Sequence, residues 1–179
     1  VIEAWEPHGA KLIFSDALTR FADGSPGTQN HLKAIFYNGD FSLEEAAKSF
    51  ALYLGATAAW HRDLHDKYGG LPRERAHEDL ILGFRAALED SLHYIPEKLV
   101  TYRENAGVAS HLSVEASKLE NRKRRRAILQ GQLTVLQQRS KDAQTFGLAE
   151  KTPVCQLLAR LVDRTAMRLS YYDGGRGAH

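Results

Sequence analysis

The chain has 179 residues, 43% of them apolar, and a formal net charge of +2, which is long and apolar enough for one domain with a core of its own. No apolar run approaches the roughly 18 residues a membrane span needs, and no stretch reads as a signal peptide. The single cysteine, Cys155, excludes an internal disulfide and suits a reducing compartment, and no Cys/His spacing suggests zinc.

Charge is unevenly spread along the chain. Residues 1–114 carry 11 Lys and Arg against 16 Asp and Glu, while residues 115–179 carry 13 against 6. The pattern changes near Ser113, from short strands alternating with helices to a segment that reads as all helix. The expected class is therefore α/β, with a mixed sheet and helices over residues 1–112 and a basic helical extension over residues 113–179.

In chain order, Leu12–Ser15 is an apolar run that reads as a strand. Asp16 follows at its end, where α/β folds place ligands; it either lines a site or caps the strand. Ala56–Trp60 reads as a second strand of the same sheet. Gly55, just before it, either lets a ligand approach the backbone or bends the strand. Trp60 belongs either to the core or to a site. Glu78–Leu88 reads as a helix that turns Leu80, Ile81, Phe84 and Leu88 to the core, with Asp79, Leu82 and Arg85 near one face. Ser91–Arg103 reads as a short extended piece, a turn at Pro96 and a second extended piece. A long helix is expected from an N-cap at Ser113 to about Gln144, stopping at Phe146-Gly147. Leu129, Leu133, Leu136 and Ala143 form its apolar stripe, which Ser140 interrupts. A second amphipathic helix follows Pro153, with Val154, Leu157, Leu158, Leu161, Val162, Thr165 and Leu169 on one side. Cys155 reads as a buried filler, and Tyr171–Gly177 as a polar, frayed end.

The chemistry concentrates at His77-Glu78-Asp79. Carboxylates in a first helical turn are stabilised by the helix dipole and by free backbone N–H groups. That would keep Asp79 ionised and ready to accept a proton from a substrate hydroxyl. Taken by itself, the pair is also ordinary helix-start chemistry. His77 either joins the pair or caps the helix. Arg85 can pair with Glu78 or Asp79, or with a diphosphate, since guanidinium suits phosphate geometry. A hydrolase using the two acids is disfavoured, because adjacent residues cannot face each other across a bond at the roughly 5 Å or more that glycosidases need. His31, His65 and His93 are scattered and carry no pattern, and Tyr102 and Arg103 read as structural.

These pieces, in this order, resemble the C-terminal half of the family 2 glycosyltransferases. Lys11-Leu12-Ile13-Phe14-Ser15-Asp16 is similar to the family's "lvysD" strand. Phe21-Ala22-Asp23-Gly24-Ser25 is similar to its "id.dG" turn. Glu78-Asp79 with Arg85 downstream is similar to its Glu-Asp pair and arginine, and Tyr94-Ile95-Pro96-Glu97-Lys98-Leu99-Val100-Thr101-Tyr102-Arg103 to its "yi-pepLv-YR" segment. The resemblance runs from about Gly9 to Ala109, roughly 100 of the 179 residues.

The resemblance implies a partial GT-A-like sheet. It implies inverting transfer of a sugar from a nucleotide-sugar donor to a hydroxyl of a glycan or lipid-linked acceptor. Asp79 would be the general base, Glu78 would orient hydroxyls, and Arg85 would support the pair or the phosphates. Trp60, Gly55, Asp16 and His77 would line the donor or acceptor pocket. In that family the nucleotide-binding strands and the Asp-x-Asp motif come earlier, before the position of Val1. The divalent cation, Mg or Mn, is therefore expected to have its ligands outside this chain. A fragment inactive by itself is expected, with an open sheet edge that favours a homo-oligomer. A cytoplasmic location is implied, including the inner face of a membrane.

Arg122-Lys123-Arg124-Arg125-Arg126 is the other conspicuous run. Within a helix its charges fan around the axis, and no aromatic residues interleave for base stacking. The reading favours a solvated helix face, then an anionic membrane surface, and does not favour nucleic acid. A helical interaction module working through this basic tail is the alternative to an enzyme.

Overall fold

The computed structural model describes residues 9–72, 77–104 and 118–173, apart from the side chains at 118–120 and 173. These residues form a mixed α/β structure with three strands and five helices. Strand β1, Leu12–Arg20, is central, with β2, Ala58–Trp60, antiparallel on one side and β3, Leu92–Arg103, parallel on the other. Leu12 to Ala17 are buried in an unbroken run, as expected of a strand covered on both faces. The strand is longer than its apolar run suggests, so Asp16 lies in its middle rather than at its end.

Two other boundaries differ from expectation. Gly55–Thr57 is a short 3₁₀ turn, and only Ala58–Trp60 is extended. Around Pro96 the chain does not turn; β3 runs through it by slipping register. Ser15 pairs with Ile95, Asp16 with Lys98 and Ala17 with Val100, which leaves Pro96, Glu97 and Leu99 outside the ladder. Proline cannot donate to a ladder, and a bulge on an outer strand is where it does least damage.

Helix α1, Leu43–Lys48, starts on a capping box in which Ser42 and Glu45 exchange hydrogen bonds. Helix α2 is the short Asp63–Asp66. Helix α3 spans Glu78–Leu88, the expected range, and buries Leu80, Ile81, Phe84 and Leu88 as expected. Its Gly83 is required by packing: a Cβ there would sit 2.8 Å from Tyr53 Cε1 and 2.9 Å from Leu52 Cδ1.

Helix α4 is described over Lys118–Phe146; the expected start at Ser113 lies outside the described residues. It ends in a Schellman motif. Gly147 adopts φ 99°, its N–H bonds Gln144 O, and the Leu148 N–H bonds Ala143 O. Helix α5, Pro153–Asp173, begins with proline at its first position, where no N–H partner is needed.

One apolar cluster joins Leu12 and Phe14 of β1, Phe36, Leu52 and Tyr53 of the connection, Ile81 and Phe84 of α3, Leu136 and Ala143 of α4, and Leu158 of α5. The helices beyond residue 112 thus supply part of the wall of the same core as the sheet. Each leucine, isoleucine or phenylalanine among them contributes roughly 1.5–3 kcal/mol by leaving water. Among the described residues no helix is long and apolar enough to cross a membrane.

Candidate functional site

The Glu-Asp pair sits in the first turn of α3. His77 precedes it in an extended conformation, and its side chain makes no capping bond. Asp79 Oδ1 accepts from the Leu80 N–H at 2.9 Å. Across from the pair lies the Gly55–Thr57 turn. A Cβ on Gly55 would come within 3.2 Å of Asp79 Cβ and 3.8 Å of Glu78 Oε1. What approaches the Gly55 backbone is therefore Asp79 itself. Glu78 and His77 are exposed, and Asp79 is half-buried.

Burial pushes the Asp79 carboxyl above its usual range, and the charge on Glu78 pushes the same way. The Leu80 N–H and His77 work against this without cancelling it. The helix start does not hold Asp79 at low proton affinity, as expected from its position alone, because the free N–H groups meet desolvation and a like charge. A raised carboxylate is a better base near neutral pH. Tyr53 stands nearby. Burial and the charges on Asp79 and Glu78 push its hydroxyl well above the ordinary phenol range, so it stays protonated beside the pair.

Arg85 does not join them. It is fully buried, and its guanidinium forks onto Asp142 of α4, Nε to Oδ2 at 2.9 Å and Nη2 to Oδ1 at 3.2 Å. Its Nη1 donates to Leu64 O at 2.9 Å and Gly69 O at 3.0 Å. With these partners filling its fork, Arg85 is a structural cation; the expected support of the acid pair or of a phosphate is corrected. Arg139, also of α4 and fully buried, donates to Ala47 O at 2.9 Å, Ser49 O at 2.8 Å and Leu80 O at 3.0 Å. The first two lie at the end of α1, whose last carbonyls need donors. Burial lowers the Arg139 pKa to about 10, against the opposing charges of Asp79 and Asp142, so it remains a cation at neutral pH.

Asp16 belongs to a second centre. Its Oδ1 accepts from Ala17 N–H and meets His31 Nε2, each at 2.7 Å. Burial pushes its carboxyl up, but the His31 hydrogen bond and the Ala17 N–H outweigh this and hold it low. An ionised carboxylate can only accept, so Nε2 carries the hydrogen. His31 Nδ1 is buried with no hydrogen-bond partner among the described residues. The His31 ring stands edge-on to Tyr37, centroids 5.4 Å apart, and Tyr37 in turn accepts from the Leu54 N–H at 3.3 Å, next to Gly55. The two centres flank one aromatic wall of Phe14, Tyr37 and Tyr53, and among the described residues no hydrogen bond or ion pair joins Asp16 to Glu78 or Asp79. His31 gave no signal in the sequence, because 15 residues and a reversal of the chain separate it from Asp16.

Trp60 is 45% exposed, on the strand that follows the Gly55 turn. The structure thus brings Gly55, Glu78 and Asp79 together, leaves His77 beside them at the surface, and places Trp60 and Asp16 on neighbouring elements. Among the described residues no group of three or more His, Cys, Asp or Glu could hold a metal ion.

Compared with family models, with curated proteins and with solved structures, the chain matches none.

Proposed function

We propose that this chain provides the acceptor-side half of an inverting, nucleotide-sugar-dependent glycosyltransferase of GT-A-like fold. Asp79 takes the proton of the attacking acceptor hydroxyl, and Glu78 orients hydroxyls at the mouth of the site. His77 and the exposed face of Trp60 border the substrate. The nucleotide-sugar and its divalent cation are held by a nucleotide-binding half outside these residues. The acceptor is a glycan or a lipid-linked sugar, and the reaction belongs at or near a cytoplasmic surface.

The observation that carries this reading is the seat of Asp79. Asp16 and Glu89 are surrounded by donors that hold them low. Asp142 is pushed up by burial but has the Arg85 fork. Asp79 is half-buried, beside a second acid, against a glycine turn, and its surroundings raise its proton affinity. Carboxylates placed against their own stability are candidates for chemistry.

The test is Asp79→Asn in the protein that carries the nucleotide-binding half. The substitution is nearly isosteric and removes the basicity. Turnover should fall roughly 100-fold or more while donor binding is kept, and Glu78→Gln should cost less. Transfer at the normal rate in Asp79→Asn would remove Asp79 from the mechanism.

A further inference from the structure

The free end of the α4–α5 hairpin carries a feature that the acid pair does not use. Leucines hold the two helices together there: Leu129 and Leu133 of α4 against Leu169 of α5, with Tyr172 packed beside them. Arg122 Nη2 donates to Tyr172 O at 3.3 Å, which fastens the end of α5 to α4. Between the helices lies a cleft of about 440 Å³, lined by Arg124, Arg125 and Arg168 together with Ile128, Gln132 and Tyr172.

The basic run does not only fan around the axis. Positions 124, 125, 128 and 132 follow helical spacing onto one face, and Arg168 from α5 adds to that face. Arg122, Lys123, Arg124 and Arg125 are all exposed. Three large apolar side chains close to the cations in sequence are exposed. Ile128 is 48% exposed, Met167 69% and Tyr171 79%. Met167 and Tyr171 are four apart on α5 and form the stripe next to Arg168 and Tyr172. A solvated helix face has no need of that apolar rim.

We propose that this end of the hairpin docks on an anionic lipid surface. Lipid phosphates enter the cleft among Arg124, Arg125 and Arg168, where guanidinium forks match their geometry. Ile128, Met167 and Tyr171 enter the interfacial layer beneath, where amphipathic aromatic and apolar side chains settle. Charge complementarity selects the occupant, and the aliphatic rim selects lipid over nucleic acid, which has no layer for Met167 and Ile128 to enter. The docking is independent of the acid-pair reading, since no residue is shared.

The full chain is mixed with phosphatidylcholine vesicles, and with vesicles in which part of the lipid is phosphatidylglycerol, and the bound fraction is measured by sedimentation. Binding should require phosphatidylglycerol and weaken as salt is raised. Each of Arg124→Ala, Arg125→Ala and Arg168→Ala should weaken it about fivefold, and the triple variant about a hundredfold. Met167→Ser with Tyr171→Ser should weaken it at high salt as well, where the charge contribution is screened. Lys151→Ala, at the other end of the hairpin, should change nothing. All these side chains are exposed, so circular dichroism should show unchanged helix content. Equal binding to both vesicle types, indifference to the three arginines, binding of inorganic phosphate without vesicle binding, or arginine-dependent binding of single-stranded RNA in its place would each overturn the proposal.

Discussion

Arg85 of α3 and Asp142 of α4 form a two-point ion pair in which neither side chain is exposed, Nε to Oδ2 at 2.9 Å and Nη2 to Oδ1 at 3.2 Å. Three residues before Asp142, Arg139 reaches the other way and donates to carbonyls of α1 and α3. The long helix is therefore tied to the α/β layer by two arginines pointing in opposite directions. Burial pushes the Asp142 carboxyl up, while the Arg85 hydrogen bonds and charge pull against it.

Breaking this pair from one side leaves a buried charge with no counter-ion. Asp142→Ala is expected to cost about 3–5 kcal/mol. Arg85→Met combined with Asp142→Leu should cost less than Asp142→Ala, because apolar residues of similar volume need no desolvation of charge. Urea unfolding of both variants would show it. A double variant less stable than Asp142→Ala would mean that the unpaired charge is not what makes the single substitution costly.

Acid should unfold the protein partly through Glu89. Burial pushes this carboxyl up, but hydrogen bonds from Lys11, Lys67 and Tyr68 outweigh it and hold the pKa at about 2, against an ordinary 4.5. A depressed pKa stabilises the fold fully above the unfolded value and loses that contribution as pH falls through the folded value. The loss should therefore run from about pH 4.5 down to about 2, and amounts to at most about 3 kcal/mol. Glu89→Gln should be less stable at neutral pH and show a flatter acid limb in thermal melts. A parallel acid limb in wild type and variant would place the acid sensitivity elsewhere.

Two glycines should differ in their tolerance of a methyl group. At Gly83 a Cβ meets Tyr53 Cε1 at 2.8 Å and Leu52 Cδ1 at 2.9 Å, both in the core, so Gly83→Ala should cost about 1–3 kcal/mol of overpacking. At Gly55 the nearest atom is Asp79 Cβ at 3.2 Å, and a helix start can yield by a few tenths of an ångström. Gly55→Ala should therefore be the milder of the two in a thermal melt. A larger loss at Gly55 would mean that the start of α3 is rigidly held.

The architecture was legible where a pattern repeats. The stripe of Leu80, Ile81, Phe84 and Leu88 located α3, and apolar runs located β1 and part of β2. Pro96 misled, since the sequence shows a ring without an N–H but not the bulge that accommodates it. Arg85 misled because a guanidinium carries the same signal whether it meets a phosphate or a buried Asp142. The partner was partly visible: Leu136 and Ala143 mark the buried face of α4, and Arg139 and Asp142 lie within a residue of that stripe, where charges must be satisfied internally. The Asp16–His31 contact was not visible at all. It depends on how the chain after β1 folds back, which no local spacing encodes.

Asp79→Asn also separates the two readings of the acid pair by stability alone. If Asp79 serves only the helix start, losing its charge removes a favourable interaction with the dipole and the Leu80 N–H, and the variant should be less stable by about 0.3–1 kcal/mol. The surroundings argue the reverse. Burial and Glu78 raise its pKa above the ordinary 3.8, so the folded state holds the proton more tightly than the unfolded state does. A raised carboxyl contributes stability at low pH and loses it as pH rises through the unfolded and then the folded value. At neutral pH the ionised Asp79 therefore costs stability, and Asp79→Asn should melt at the same temperature or higher. The gap should close as pH falls below about 3.8, where both side chains are neutral. Thermal melts of the two proteins at neutral and acid pH give both numbers. A variant that melts lower at neutral pH would return the Glu78-Asp79 pair to the ordinary business of starting a helix.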